Sequence, residues 1–167
     1  MSRIPLAFCL AAAALLSALP ASAADTLVVE GEEHCVVNVA SWDRLNVREE
    51  PSTDSDVVTR LPYGECGVIV VGDVEEGWVP IEDGHFEGWV NARFISMVSP
   101  AMYCVSGVDD DDVLNLRAWP SPVSRVEVEL DPHQCDIAFL PYAVGGWQKV
   151  RVDGYEGWVK AEFLSGQ

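Results

Sequence analysis

The stretch LNVREEPS at residues 45–52 returns at residues 114–121 as LNLRAWPS, an offset of 69 with five identities in eight. The offset holds far beyond that phrase. Laying residues 35–96 on residues 104–165 without a gap gives identity at 22 of 62 positions. Cys35 falls on Cys104, Cys66 on Cys135, Trp78 on Trp147, and EGWV at 87–90 on EGWV at 156–159. The match closes with Ala92, Phe94 and Ser96 on Ala161, Phe163 and Ser165. The chain therefore holds two copies of one unit, joined by a short segment around MVSPAM at 97–102. Two copies are too few for a solenoid, which needs three or more stacked repeats to bury a continuous core. Each copy is expected to be a small domain, the first over residues 33–98 and the second over 102–167.

Within a copy the apolar residues alternate with a period of two, as in Leu45 and Val47, or Cys66, Val68 and Val70. That period belongs to half-buried strands. Turn-forming clusters such as PSTDSD, PYGE and EDGH separate the strands, and no helix-length pattern follows residue 25. The fold class expected is all-β, with two small antiparallel barrels or sandwiches. A unit this small buries only about 60% of its unfolded surface and is marginal unaided. Four cysteines outside the leading segment permit three pairings. Pairing within each copy, Cys35 with Cys66 and Cys104 with Cys135, gives the same separation twice and lets each copy fold alone. A loop of that size stabilises by about 3–4 kcal/mol on the chain-entropy model. Free thiols or a cysteine metal site are the alternatives. They suit an oxidising compartment poorly, and the spacing lacks the C-x-x-C form of a zinc knuckle.

Such a compartment is implied by the first 24 residues, read as a signal peptide. Arg3 precedes the apolar run LAFCLAAAALLSAL, too short to span a bilayer, and Ala21, Ser22 and Ala23 supply small residues for cleavage near Ala23 or Ala24. Phe8 stands where a lipid-attachment signal at Cys9 has a small residue. The expectation is a secreted or periplasmic protein without stable membrane insertion. The whole chain carries 10 basic and 27 acidic residues. Without Arg3 the balance is 9 − 27 = −18. That field repels nucleic acid and anionic polymers and favours neutral or cationic partners.

LNVREEPSTDSDVVTRLPYGECGVIVV, with GWVPI and EGWVNARFIS after it, resembles the bacterial SH3-like domain. LNLRAWPSPVSRVEVELDPHQCDIAFL, with GWQKV and EGWVKAEFLS, keeps the same order. The resemblance implies two tandem SH3-like β-barrels in an exported protein, a fold often tied to binding peptidoglycan or a protein partner. The second copy departs from the first in two places. PYGE becomes DPHQ, which predicts a differently shaped turn, and Gly72 and Asp73 become Pro141 and Tyr142.

Positions identical in both copies are read as scaffold: Trp89, Trp158, Phe94, Phe163, Leu45 and Leu114 as core, and Asn46, Asn115, Arg48 and Arg117 as partners of turn backbone. Trp78 and Trp147 are given packing roles as well as candidate contact roles. The loop residues that differ are the binding candidates: Trp42, Glu49, Glu50, Asp54 and Asp56 in the first copy and Trp119 in the second, with Tyr63 and Tyr142 beside them. Acids around an aromatic platform suit a basic or amine-bearing ligand. The DDDD run at 109–112 lacks the alternating ligands, glycine and distal glutamate of an EF-hand loop. No metal or cofactor is expected. Catalysis is not expected either. Every mature cysteine has a symmetrical partner, which leaves no thiolate for His34, His85 or His133 to activate. Glu75 and Glu76 have no deep cleft to work in, and G-x-S-x-G and H-E-x-x-H are absent from the sequence. The reading is a non-catalytic binder of cell-wall peptide, the alternative a periplasmic protein-interaction or structural module without wall affinity. N-terminal sequencing of protein recovered from the cell exterior is expected to start at Ala24 or Asp25; a mature chain still starting at Met1 would remove the export signal.

Overall fold

The structure is a computed structural model and describes residues 26–166; the expected signal peptide lies outside the described residues. Seven strands, β1 (Glu33–Val36), β2 (Arg44–Arg48), β3 (Val57–Pro62), β4 (Val68–Val70), β5 (Trp78–Glu82), β6 (Glu87–Asn91) and β7 (Ile95–Met97), form one antiparallel sheet in the order β3-β2-β6-β5-β4-β1-β7. Seven more follow: β8 (Tyr103–Val105), β9 (Leu114–Arg117), β10 (Val126–Leu130), β11 (Ala138–Val144), β12 (Trp147–Val152), β13 (Tyr155–Lys160) and β14 (Leu164–Gly166). They make a five-stranded sheet, β10-β9-β13-β12-β11, and a β14-β8 ribbon. The helical segments among the described residues are two single 3-10 turns, Ala92–Phe94 and Ala161–Phe163, one offset of 69 apart.

Period-two alternation builds two cores. Leu45 and Val47 of β2 meet Val68, Val70, Val79 and Val90 in the first, while Leu114 and Leu116 of β9 meet Ile137, Val150 and Val159 in the second. The disulfides join Cys35 to Cys66 and Cys104 to Cys135, each across 31 residues. Gly88 and Gly157 recur for a steric reason. A Cβ on Gly88 would meet the Arg48 carbonyl oxygen and Val47 Cγ1, both at 2.7 Å, and one on Gly157 would collide with Leu116 Cδ2.

Three expectations are corrected. The sheets stay open instead of closing into barrels: β3 and β7 are sheet edges, and the β8–β14 ribbon reaches the start of β11 only through the isolated bridge Tyr103–Ile137. In the second half β11 breaks register between Phe139 and Ala143 and lays Ala138, Leu140 and Tyr142 against the first half. The DPHQ turn is not reshaped. His133 holds φ +67 where Gly64 holds φ +88, and Gln134 N–H donates to the Asp131 carbonyl at 3.1 Å as Glu65 N–H does to Pro62 at 3.2 Å. A left-handed histidine is uncommon but sterically allowed. Trp89 and Trp158 are half-buried and stand outside the two sheet cores, because their neighbours Val90 and Val159 take the inward positions; Trp158 packs instead against the apolar cluster between the halves.

The halves meet in a third apolar cluster, where Cys35, Val37 and Val98 receive Ala138, Leu140 and Tyr142. The Tyr142 hydroxyl donates to the Val36 carbonyl at 2.7 Å, and its ring meets Tyr63 edge-on with centroids 5.3 Å apart. Arg151 donates to both Glu33 oxygens, at 2.7 and 3.0 Å. The linker adds Phe139 N–H donating to Ser99 Oγ at 2.7 Å.

The segment before β1 is tied down by a buried histidine. His34 Nε2 accepts from Val29 N–H at 3.1 Å while Nδ1–H donates to the Glu32 carbonyl at 2.9 Å. Leu27 N–H adds a bond to Ser96 Oγ at 3.2 Å. Burial pushes the His34 pKa below its ordinary value, against the opposing pull of the Glu32 carbonyl and the Glu32 and Glu33 carboxylates.

Two outcomes are expected. Tyr142→Phe removes one of two hydrogen bonds on the Val36 carbonyl, which keeps the Gly64 N–H, and costs about 0.5–1.5 kcal/mol in urea unfolding; an unchanged midpoint would deny the junction that role. His34 contributes neutral, so its stabilisation is complete above the unfolded value near pH ~6.5 and is lost as pH falls through the depressed folded value. The stability gap between wild type and His34→Gln should shrink from pH ~7.5 to ~5, and a pH-independent gap would contradict it.

Candidate functional site: two equivalent grooves

Leu45 and Val47 point into the first core, which leaves Asn46 and Arg48 on the opposite face of β2. Arg48 Nη1 donates to the Ser55 carbonyl at 2.6 Å, and Arg117 Nη1 donates to the Ser124 carbonyl at 2.7 Å. The serine hydroxyls complete the lock: Glu50 N–H reaches Ser55 Oγ and Trp119 N–H reaches Ser124 Oγ, both at 2.9 Å. The repeated LN-x-R-x-x-P-S phrase thus encodes a strand, an outward arginine and the turn it fastens, as the sequence predicts for the arginines.

The outward side chains face a groove in each half. In the first, of about 270 Å³, Asn46 and Arg48 line it with Trp78, Phe94, Asn91, Arg44, Arg93 and Asp43. In the second, of about 300 Å³, Asn115 and Arg117 stand with Trp147, Phe163, Lys160, Asp109 and Asp112. Each of the 12 residues lining the second groove lies 69 positions after one lining the first. Strand register sets the floor, since Trp78 pairs with Asn91 and Trp147 with Lys160. The aromatic walls carry cations: Arg93 sits over the Phe94 ring at 4.5 Å and Lys160 over Trp147 at 4.9 Å. Trp78 is half-buried and Trp147 is 8% exposed, so each ring is largely packed while still lining its groove.

The other candidates named from sequence are dispersed. Trp42, 89% exposed, Glu50 and Asp54 line neither groove, and Glu49 borders a separate hollow with Trp89 and Val71. Tyr63, Trp119 and Tyr142 gather instead at a cleft of about 580 Å³ at the junction, beside Trp158, Lys149 and Glu156. Tyr142 is buried there, and burial, then Tyr63 and Glu156, raise its pKa well above the ordinary phenol value. Burial works against the Glu156 carboxylate, yet hydrogen bonds from Arg151 and Lys149 hold its pKa below the usual value. Sequence reasoning missed Arg44, Arg93, Asn91 and Asp43 as groove residues. The available signal was that Asn46 and Arg48 are kept in both copies although their strand points them away from the core.

Among the described residues no cluster of three or more His, Cys, Asp or Glu is placed to hold a metal ion. The DDDD run forms a turn in which Asp112 N–H donates to the Asp109 carbonyl and Asp112 Oδ1 accepts from Val113 N–H. No helix among those residues is long and apolar enough to cross a membrane.

Residues 43–96, which contain most of the first groove, match the family model of the bacterial SH3 domain. No curated protein sequence matches the chain. Among solved structures, NlpC2 from Trichomonas vaginalis is similar at 14% identity and a TM-score of 0.37, over 82% of this chain and 48% of that one. NlpC1 from the same organism is similar at 14% identity and a TM-score of 0.37, over 87% and 49%. The chain thus spans about half the length of these structures, and a likeness this loose says nothing of activity.

Proposed function

We propose that this chain is an exported, non-catalytic binding protein of two tandem SH3-like modules, taking cell-wall peptide into its paired grooves. The observation that carries the reading is the duplication of one groove, position by position. Core packing explains repeated inward residues, and the turn bonds explain Arg48 and Arg117; neither explains why outward Asn46 and Trp78 recur as Asn115 and Trp147. An aromatic floor with an amide and a guanidinium beside it suits a short extended peptide, whose side chains need an apolar wall and whose backbone needs donors and acceptors. The family match over residues 43–96 supports this class of ligand, and the two disulfides are compatible with export. Absence of catalysis is supported by the bridged cysteines and by His34, whose two ring nitrogens are engaged by backbone.

Two grooves on one body suit a polymer that displays the same peptide many times. Once one groove is occupied, the second meets its ligand at an effective concentration on the order of millimolar, so weak single-site affinity is sufficient.

The test is retention on purified sacculi. Asn46→Ala with Asn115→Ala removes hydrogen bonds worth about 0.5–1.5 kcal/mol each and should lower retention roughly tenfold, whereas Trp42→Ala with Trp119→Ala, outside both grooves, should retain fully. If the second pair loses binding and the first keeps it, the exposed loops are the site. If wild type is not retained, and in-envelope crosslinking gives one dominant protein adduct, the chain is a protein-interaction module without wall affinity.

A further inference from the structure

With 27 acidic residues against 10 basic ones, a cation in this chain should find a carboxylate close by. In the second half three of the five cations do: Arg125 pairs with Glu127, Lys149 with Glu156, and Arg151 with Glu33 and Glu156, while Arg117 and Lys160 are in no salt bridge among the described residues. The first groove gathers three cations and pairs none of them. Arg44, Arg48 and Arg93 all line it, and among the described residues none of the three is in a salt bridge. The one carboxylate in that lining, Asp43, is turned to backbone, its Oδ1 accepting from Arg44 N–H at 2.8 Å. At the matching places the second half has Val113, Arg117 and Glu162; its groove keeps Asp43 as Asp112, has Asp109 for Ala40 and Lys160 for Asn91, so two cations there face two carboxylates. The two grooves share a shape and differ in charge.

We propose that the first groove, and not the second, is a receptor for the free α-carboxylate at the C-terminal end of a peptide; this rests on the reading of the grooves as peptide sites. Arg48 uses Nη1 on the Ser55 carbonyl and carries further N–H donors. A guanidinium stacked on a ring, as Arg93 is on Phe94, keeps its edge for an acceptor. Arg44 is exposed at the start of β2. The chain's overall negative field opposes an anion, but at physiological ionic strength it is screened over about 8 Å, so inside the groove the three guanidiniums prevail over one carboxylate. Trp78 and Phe94 give the terminal residue an apolar wall, and Asn46 and Asn91 reach its amide. That combination selects a peptide end over a bare anion.

The test uses the full disulfide-bonded protein and follows the Trp78 indole N–H by NMR. The probes are N-acetyl-Ala-Ala with a free carboxylate and the same dipeptide as its C-terminal amide, with inorganic phosphate as competitor. The acid should bind about tenfold tighter than the amide, and raised salt should narrow the gap. Arg44→Gln with Arg93→Gln should bring the acid down to the affinity of the amide, and Arg44→Gln alone serves if the double variant folds poorly. Arg125→Gln, which removes a cation outside both grooves, should keep the preference. Equal binding of acid and amide overturns the carboxylate receptor and leaves the peptide site standing. Displacement by phosphate at equal concentration overturns it in favour of an unselective anion site. Failure of both dipeptides to bind also overturns it; the wider reading falls with it only if the asparagine variants are retained on sacculi as well as wild type.

Discussion

Both grooves depend on a strand lying where a side chain would not fit. β6 crosses β2 with Trp89 paired to Arg48, and β13 crosses β9 with Trp158 paired to Arg117. At the adjacent residue, Gly88 or Gly157, the backbone of the crossed strand occupies the place of a Cβ. Only that approach sets Asn91 and its partner Trp78 beside the outward Asn46 and Arg48. A side chain at either glycine would meet the crossed strand and a core residue together, Val47 in the first half and Leu116 in the second. The glycine of EGWV thus serves the core and the strand crossing at once.

That dual use explains where the sequence was legible and where it was not. The repeat, the all-β class, the disulfide pairing and the arginine-to-turn bonds could be read because each is local or is written twice. Barrel closure was misjudged because it depends on which sheet edges meet, a long-range property that the local alternation of neither copy states, and both sheets stay open. The DPHQ turn was misjudged because left-handed backbone is common at glycine yet not closed to histidine. For binding residues the sequence offered the loop positions that differ between the copies, together with Trp78 and Trp147. Strand geometry adds a second signal, since on a period-two strand an identical inward residue is explained by the core, whereas an identical outward one needs a turn bond or a groove to explain it.

Differences between the copies have their own physical home. The outer face of β4 and its continuation carries Ile69, Val71 and Asp73, of which Val71 is 44% exposed. The equivalent face of β11 carries Ala138, Leu140 and Tyr142, all buried against the first half. Where the first copy has exposed Asp73 the second has buried Tyr142, so these unmatched positions are the ones through which the halves pack together.

The charges around that junction make it indifferent to pH near neutrality. Tyr142 has its pKa raised by burial, so it remains a hydrogen-bond donor to Val36 into alkaline solution. Arg151 is held charged, first by its hydrogen bond to Glu33 and then by Glu156, while Glu156 stays ionised until well into acid. His34 is different, because its lowered pKa falls away from an ordinary value near ~6.5. Its protonation would take Nε2 away from Val29 N–H, so acid that reaches His34 acts on the strap before β1, next to the Glu33 carboxylate that Arg151 holds at the junction.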